Sequence, residues 1–145
     1  MYLFLLDHAA AILEEMYKEI NLEETDIFKR IGDIGILKLE TQQTYPQVFD
    51  FLKSLGNEES LEVKSEIEQK KDRMFGSGLE KVYENIDFSK FRSDIDVEKA
   101  MDVINWTMIG FAEREVDKLD SFEDVGIEQI QEWERYSELL KKCFY

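Results

Sequence analysis

Residues Met101 to Leu119 read "MDVINWTMIGFAEREVDKL". In a chain with 33 acidic and 18 basic residues, the run from Asn105 to Ala112 carries no charge, and Glu113, Arg114 and Glu115 follow at once. On a wheel of about 100° per residue, Val103, Ile104, Trp106, Met108, Ile109 and Phe111 spread over nearly the whole circumference, the mark of a helix covered on all sides. Ala100, Ile104, Met108 and Phe111 form one stripe. Ile109, Val116 and Leu119 lie towards a second side, and Val103, Trp106 and Gly110 towards a third. A chain of 145 residues rarely surrounds a helix so completely, so the pattern predicts that a second subunit supplies one of the walls.

The rest of the chain repeats the helical period. One proline, seven glycines and apolar residues at every third or fourth position predict an all-α protein of about six helices in one domain. The first helix is expected from Tyr2 to Ile20, with Leu3, Leu6, Ala10, Leu13 and Tyr17 on one face. The second spans Asp26 to Gln43, with Gly32 and Gly35 as points of bending or close contact. Pro46 suits the first position of a short third helix closed at Gly56. Asn57 caps a long fourth helix to Ile86, whose early apolar anchors are Leu61, Val63 and Ile67 and whose "FGSG" predicts a local kink. A loop over 85–95, pinned by Phe88 and Phe91, leads to Asp96 as the cap of the opening stretch. Ser121 with Asp124 resembles a capping box for a last helix ending near Cys143.

In that last helix Gly126, Ile130, Trp133, Ser137, Leu140 and Phe144 recur at alternating steps of four and three, the seam spacing of paired helices. Val125, Tyr136, Leu139 and Cys143 flank it. Two apolar lines on one helix predict that one packs at home and the other on a partner, because a monomer would leave a sizeable patch exposed.

Composition excludes several functions. A net charge of −15 repels phosphate backbones, so this polypeptide is not expected to bind nucleic acid directly. A single histidine, His8, and a single cysteine, Cys143, are too few for zinc sites, and no Glu-x-x-His motif is present for a di-iron bundle. No metal or cofactor is expected. "DIDVEKAMDVI" starts like a calcium loop, but Val97 and Lys99 stand where a ligand and the turn glycine belong. "FGSG" lacks the Gly-Lys-Ser/Thr of a phosphate loop. His8 reads as a histidine packed on an early helix, and no acid pair stands out as catalytic, so an enzyme is not expected. The opening "MYLFLLDHAAAIL" has no basic start and is interrupted by Asp7, so neither a secretion signal nor a membrane span is expected. The lone cysteine points to a reducing, cytoplasmic location.

What remains is an aromatic interior with a few polar tips. Tyr17, Tyr45, Phe49, Met74, Phe75, Tyr83, Ile104, Trp106, Met108 and Phe111 are candidates to line a cavity between helices, a common place for a small-molecule site.

The order of segments, "TYPQVFDFLKS", then "LEKVYENIDFSKFRSDIDVEKAMDVINWTMIGFAE", then a final helix, resembles the C-terminal effector-binding and dimerisation domain of the TetR/AcrR family of bacterial transcriptional regulators. The likeness is strongest over Asp87 to Glu113. "YLFLLDHA" near the start resembles the point where the family's helix-turn-helix head runs into this domain, and the head itself is absent from the sequence. The resemblance implies a homodimer built as a four-helix interface of the last two helices from each subunit, with Ile109, Val116, Ile130, Trp133, Ser137, Leu140 and Phe144 as contact residues and Trp133 as anchor. It implies a repressor domain controlled by an apolar or aromatic small-molecule effector, with DNA contacted only through the missing head. The alternative is a stand-alone helical interaction module that heterodimerises with an intact regulator.

Overall fold

The computed structural model describes residues 2–54 and 61–145, with side chains described except at 2, 3, 61–64, 67, 71, 74–77 and 79. Among the described residues there are six α-helices, two short 3-10 turns and no strand: α1 Tyr2–Lys18, α2 Ile27–Thr44, α3 Pro46–Ser54, α4 Leu61–Tyr83, α5 Val97–Lys118 and α6 Glu128–Phe144. None of these helices is long and apolar enough to cross a membrane.

Local chemistry sets the boundaries. Asp26 caps α2, accepting from the Phe28 and Lys29 amides, and Asp96 caps α5 through the Lys99 amide. Pro46 opens α3, where its missing N–H costs nothing. Gly56 and Asn57, the expected stop of α3 and cap of α4, and the side chains of Leu61, Val63 and Ile67 lie outside the described residues. The Ser121 expectation is corrected. Ser121 caps the 3-10 turn Phe122–Asp124 through the Glu123 amide, and α6 starts later, at Glu128, with no side-chain cap. The "FGSG" segment does not interrupt α4. Gly78 instead allows a close approach, since a Cβ there would stand 2.6 Å from Cε1 and Oη of Tyr17 on α1.

Two hydrophobic clusters organise the bundle. One joins Ile27, Phe28 and Ile31 of α2 to Val82, Phe91, Ala100, Ile104, Trp133 and Leu140. The other gathers Leu6, Leu13 and Met16 of α1 with Phe49 of α3 and Phe122, and Val116 and Leu119 pack against it. Because α5 serves the first cluster with its start and the second with its end, it spans the molecule.

Polar groups fix how these parts meet. Arg30 is 1% exposed and its guanidinium donates to four backbone carbonyls: Lys81 at 2.9 Å, Glu84 at 2.7 Å, Leu22 at 3.2 Å and Glu24. It thereby closes the carbonyl end of α4, where Asn85 turns the chain with φ of 61°. On α3, Asp50 accepts from the Ser121 hydroxyl and the Phe122 amide, both at 2.7 Å. Lys53, one turn later, donates to the carbonyls of Val116 at 2.9 Å and Leu119 at the end of α5.

Candidate interface and ligand-binding site

The opening stretch is helical from Met101 to Lys118, with Leu119 as the extended C-cap, but it is not covered on all sides. Ala100, Ile104, Met108 and Phe111 face the first cluster, with Ile104 fully buried. The opposite side stands in solvent: Trp106 is 67% exposed, Ile109 40% and Val103 39%, and Gly110 is exposed beside them. Val103, Trp106 and Gly110 follow at steps of three and four, so they form one row on the helix. Among the described residues, the other helices cover one half of α5 and leave the other half open.

Gly110 adds to this. A mid-helix glycine costs about 1 kcal/mol against alanine, and nothing among the described residues lies within 4 Å of where its Cβ would be. The open space is therefore unused by the described residues.

The seam expected on α6 is spent at home. Trp133 is 6% exposed, and Ser137 and Leu140 are also buried. The Trp133 ring packs against Phe111 at 5.4 Å between centroids, and its Nε1 is buried with no hydrogen-bond partner among the described residues. Ile130 is half-buried beside Gly35, while Phe144 packs on the first cluster. Val116 turns to the second cluster. Of the expected contact residues, Ile109 alone belongs to the outward face. The line on α6 that reaches solvent is the flanking one, with Leu139 at 59% exposure. The reason is geometric: spacing identifies two apolar lines but not which of them the rest of the chain covers. The outward row carries a charged border that the sequence shows, since Val103, Trp106 and Gly110 run between Lys99, Asp102 and Glu113.

At the edge between α5 and α6, Arg114 lies over the rings of Phe111 and Tyr136, 5.9 and 5.8 Å from their centroids, and donates to the Tyr136 hydroxyl at 3.3 Å. Tyr136 also stacks on Phe111 at 5.6 Å. These contacts tie the two helices side by side.

The expected cavity-lining residues do not meet in one chamber. Ile104, Met108 and Phe111 are core, Phe49 packs on Phe122 in the other cluster, and Tyr17 fills the space above Gly78. Trp106 points outward. The side chains of Met74 and Phe75 lie outside the described residues.

Two open grooves stand out among the described residues. The larger, about 430 Å³, runs between the end of α4, the Phe88 turn and the first half of α5. Tyr83 lies along it and donates its hydroxyl to Asn105 Oδ1 at 2.6 Å. Burial first, then the nearby Asp102 carboxylate, raise the Tyr83 hydroxyl above its ordinary pKa, so it stays a donor. The second, about 340 Å³, lies between α1 and α2 and includes Tyr45 and His8. His8 is exposed there rather than packed. Among the described residues no group of three or more His, Cys, Asp or Glu is placed to hold a metal.

Comparison of the chain with models of protein families, with curated proteins and with solved structures finds no match in any of the three.

Proposed function

We propose that residues 1–145 act as the ligand-sensing and dimerisation domain of a TetR-type bacterial transcription regulator, in which an apolar or aromatic effector controls DNA-reading helices outside this segment. The exposed Trp106 row is the observation that carries this reading. A helix of 22 residues is about 33 Å long, and set beside α6 it offers enough surface for an interface of ordinary size, about 800 Å² per partner. The interface anchor is Trp106 rather than Trp133, with Val103, Ile109 and Leu139 around it and Gly110 as the hollow against which a partner's side chain seats. Large aromatics concentrate binding energy at such faces.

The acidic surface agrees with DNA contact lying elsewhere. An effector acts by preferring one arrangement of the dimer, so its site must touch an element that also belongs to the interface. In this molecule α5 is that element.

Sedimentation tests the reading. The wild-type chain is expected to be a dimer at about 10 µM, which corresponds to ordinary micromolar or tighter association, and Trp106→Asp to be a folded monomer with an unchanged circular dichroism spectrum. A monomeric wild type, or a Trp106→Asp chain that still dimerises, sinks the proposal.

A further inference from the structure

The larger groove has a floor and a rim of different chemistry. Its floor is apolar and aromatic, formed by Tyr83, Phe88, Val97 and Met101. Its rim carries two carboxylates from one helix face, Glu98 and Asp102, with Asn105 beyond them. Residues four apart on a helix stand about 5–6 Å apart at Cβ, where like charges repel. Among the described residues neither carboxylate forms an ion pair, although Lys99, Lys90 and Arg92 are close in sequence. Two carboxylates with no ion-pair partner among the described residues thus share a groove with the rings of Tyr83 and Phe88, and aromatic faces also attract positive charge.

We infer that this groove is a binding site for an organic cation with an aromatic or aliphatic body, the body lying on Met101, Val97 and the two rings and the cationic centre between Glu98 and Asp102. A volume of about 430 Å³ matches a molecule of small-drug size. Anionic and uncharged molecules of the same shape are disfavoured, the first by the carboxylates and the second by leaving them unpaired. The inference deepens the proposed sensor role and rests on it for its biological meaning: Asp102 adjoins Val103 of the outward row, so a bound cation acts on the helix that forms the interface.

Fluorescence titration with 9-aminoacridine, a cation near neutral pH, against uncharged acridine measures the preference in the intact chain. The cation is expected to bind at least about tenfold more tightly, a difference of about 1.4 kcal/mol. Glu98→Gln combined with Asp102→Asn should erase that preference. Both residues are exposed, so the double variant is expected to fold normally. Glu15→Gln combined with Glu19→Gln, on the other groove, controls for general attraction to an acidic protein and should change binding less than about twofold, within the scatter of surface charge effects. Equal binding of the two acridines, no binding of 9-aminoacridine up to about 1 mM, or an equal loss in the control variant overturns the inference. Sedimentation of the same variants separates the two proposals: a dimer that ignores the cation removes this site alone, and a monomer that binds it removes the sensor-domain reading alone.

Discussion

Arg30 shows how much one side chain holds. Its guanidinium reaches carbonyls from the α1–α2 connection and from the end of α4, a span that an ammonium with a single centre does not cover. Arg30→Met should destabilise the fold by about 3 kcal/mol, because several buried acceptors lose their donor, and Arg30→Lys should recover only part of it. Chemical denaturation measures both. Tyr145 does comparable work at the far end of the sequence. Its ring packs edge-on against Phe28 at 5.1 Å and Phe91 at 5.3 Å, and its hydroxyl donates to Asp26 at 3.1 Å. Burial, with Asp26 behind it, raises the Tyr145 hydroxyl far above an ordinary tyrosine. A raised folded-state value means stability that is complete below about pH 10 and is lost as pH climbs from there. Tyr17 and Tyr83 are raised in the same direction by burial. Tyr145→Phe should cost about 1 kcal/mol at neutral pH and flatten the alkaline limb of a stability-against-pH curve; an unaltered limb would assign it to the other tyrosines.

At the scale of the helix, the proposed interface sets folding against assembly on α5. Gly110 weakens the helix, and among the described residues nothing occupies the place of a Cβ there. Gly110→Ala should therefore raise the melting temperature of a monomeric Trp106→Asp background by the equivalent of about 1 kcal/mol, yet in the otherwise native chain weaken dimerisation through crowding at the hollow. A change of the same sign in both measurements would show that the glycine has no part in association. The helices themselves were legible in the sequence, because period, Pro46, Asp26 and Asp96 all speak locally. The α6 start was less so: Ser121 carries a valid capping signal, but a 3-10 turn uses it before α6 begins. The candidate site was the least legible part. The apolar lines on α5 and α6 are visible in the letters, but which one faces inward depends on where Phe111 and Trp133 meet, a long-range fact that spacing does not encode. The groove was missed apart from Tyr83, since Glu98 and Asp102 look like any other acids in so acidic a chain.

For the molecule as a whole, the proposed interface would have the two tryptophans separate stability from association. Trp133 lies in the core, so Trp133→Ala belongs with the large-to-small core changes that cost about 3–5 kcal/mol, whereas the Trp106 variant acts on a surface. The angle at which α6 leaves α5 decides whether their outer sides form one face, and α3 fixes that corner. Asp50 answers the amide end of the Phe122 turn and Lys53 the carbonyl end of α5, each opposite in sign to the backbone pole it meets. A surface ion pair survives having its members exchanged, since attraction is symmetrical. This clasp is polar in the sense of a magnet: the reciprocal exchange Asp50→Lys with Lys53→Asp would set like against like at both poles, and should lose at least about 3 kcal/mol with no mutual rescue between the two changes.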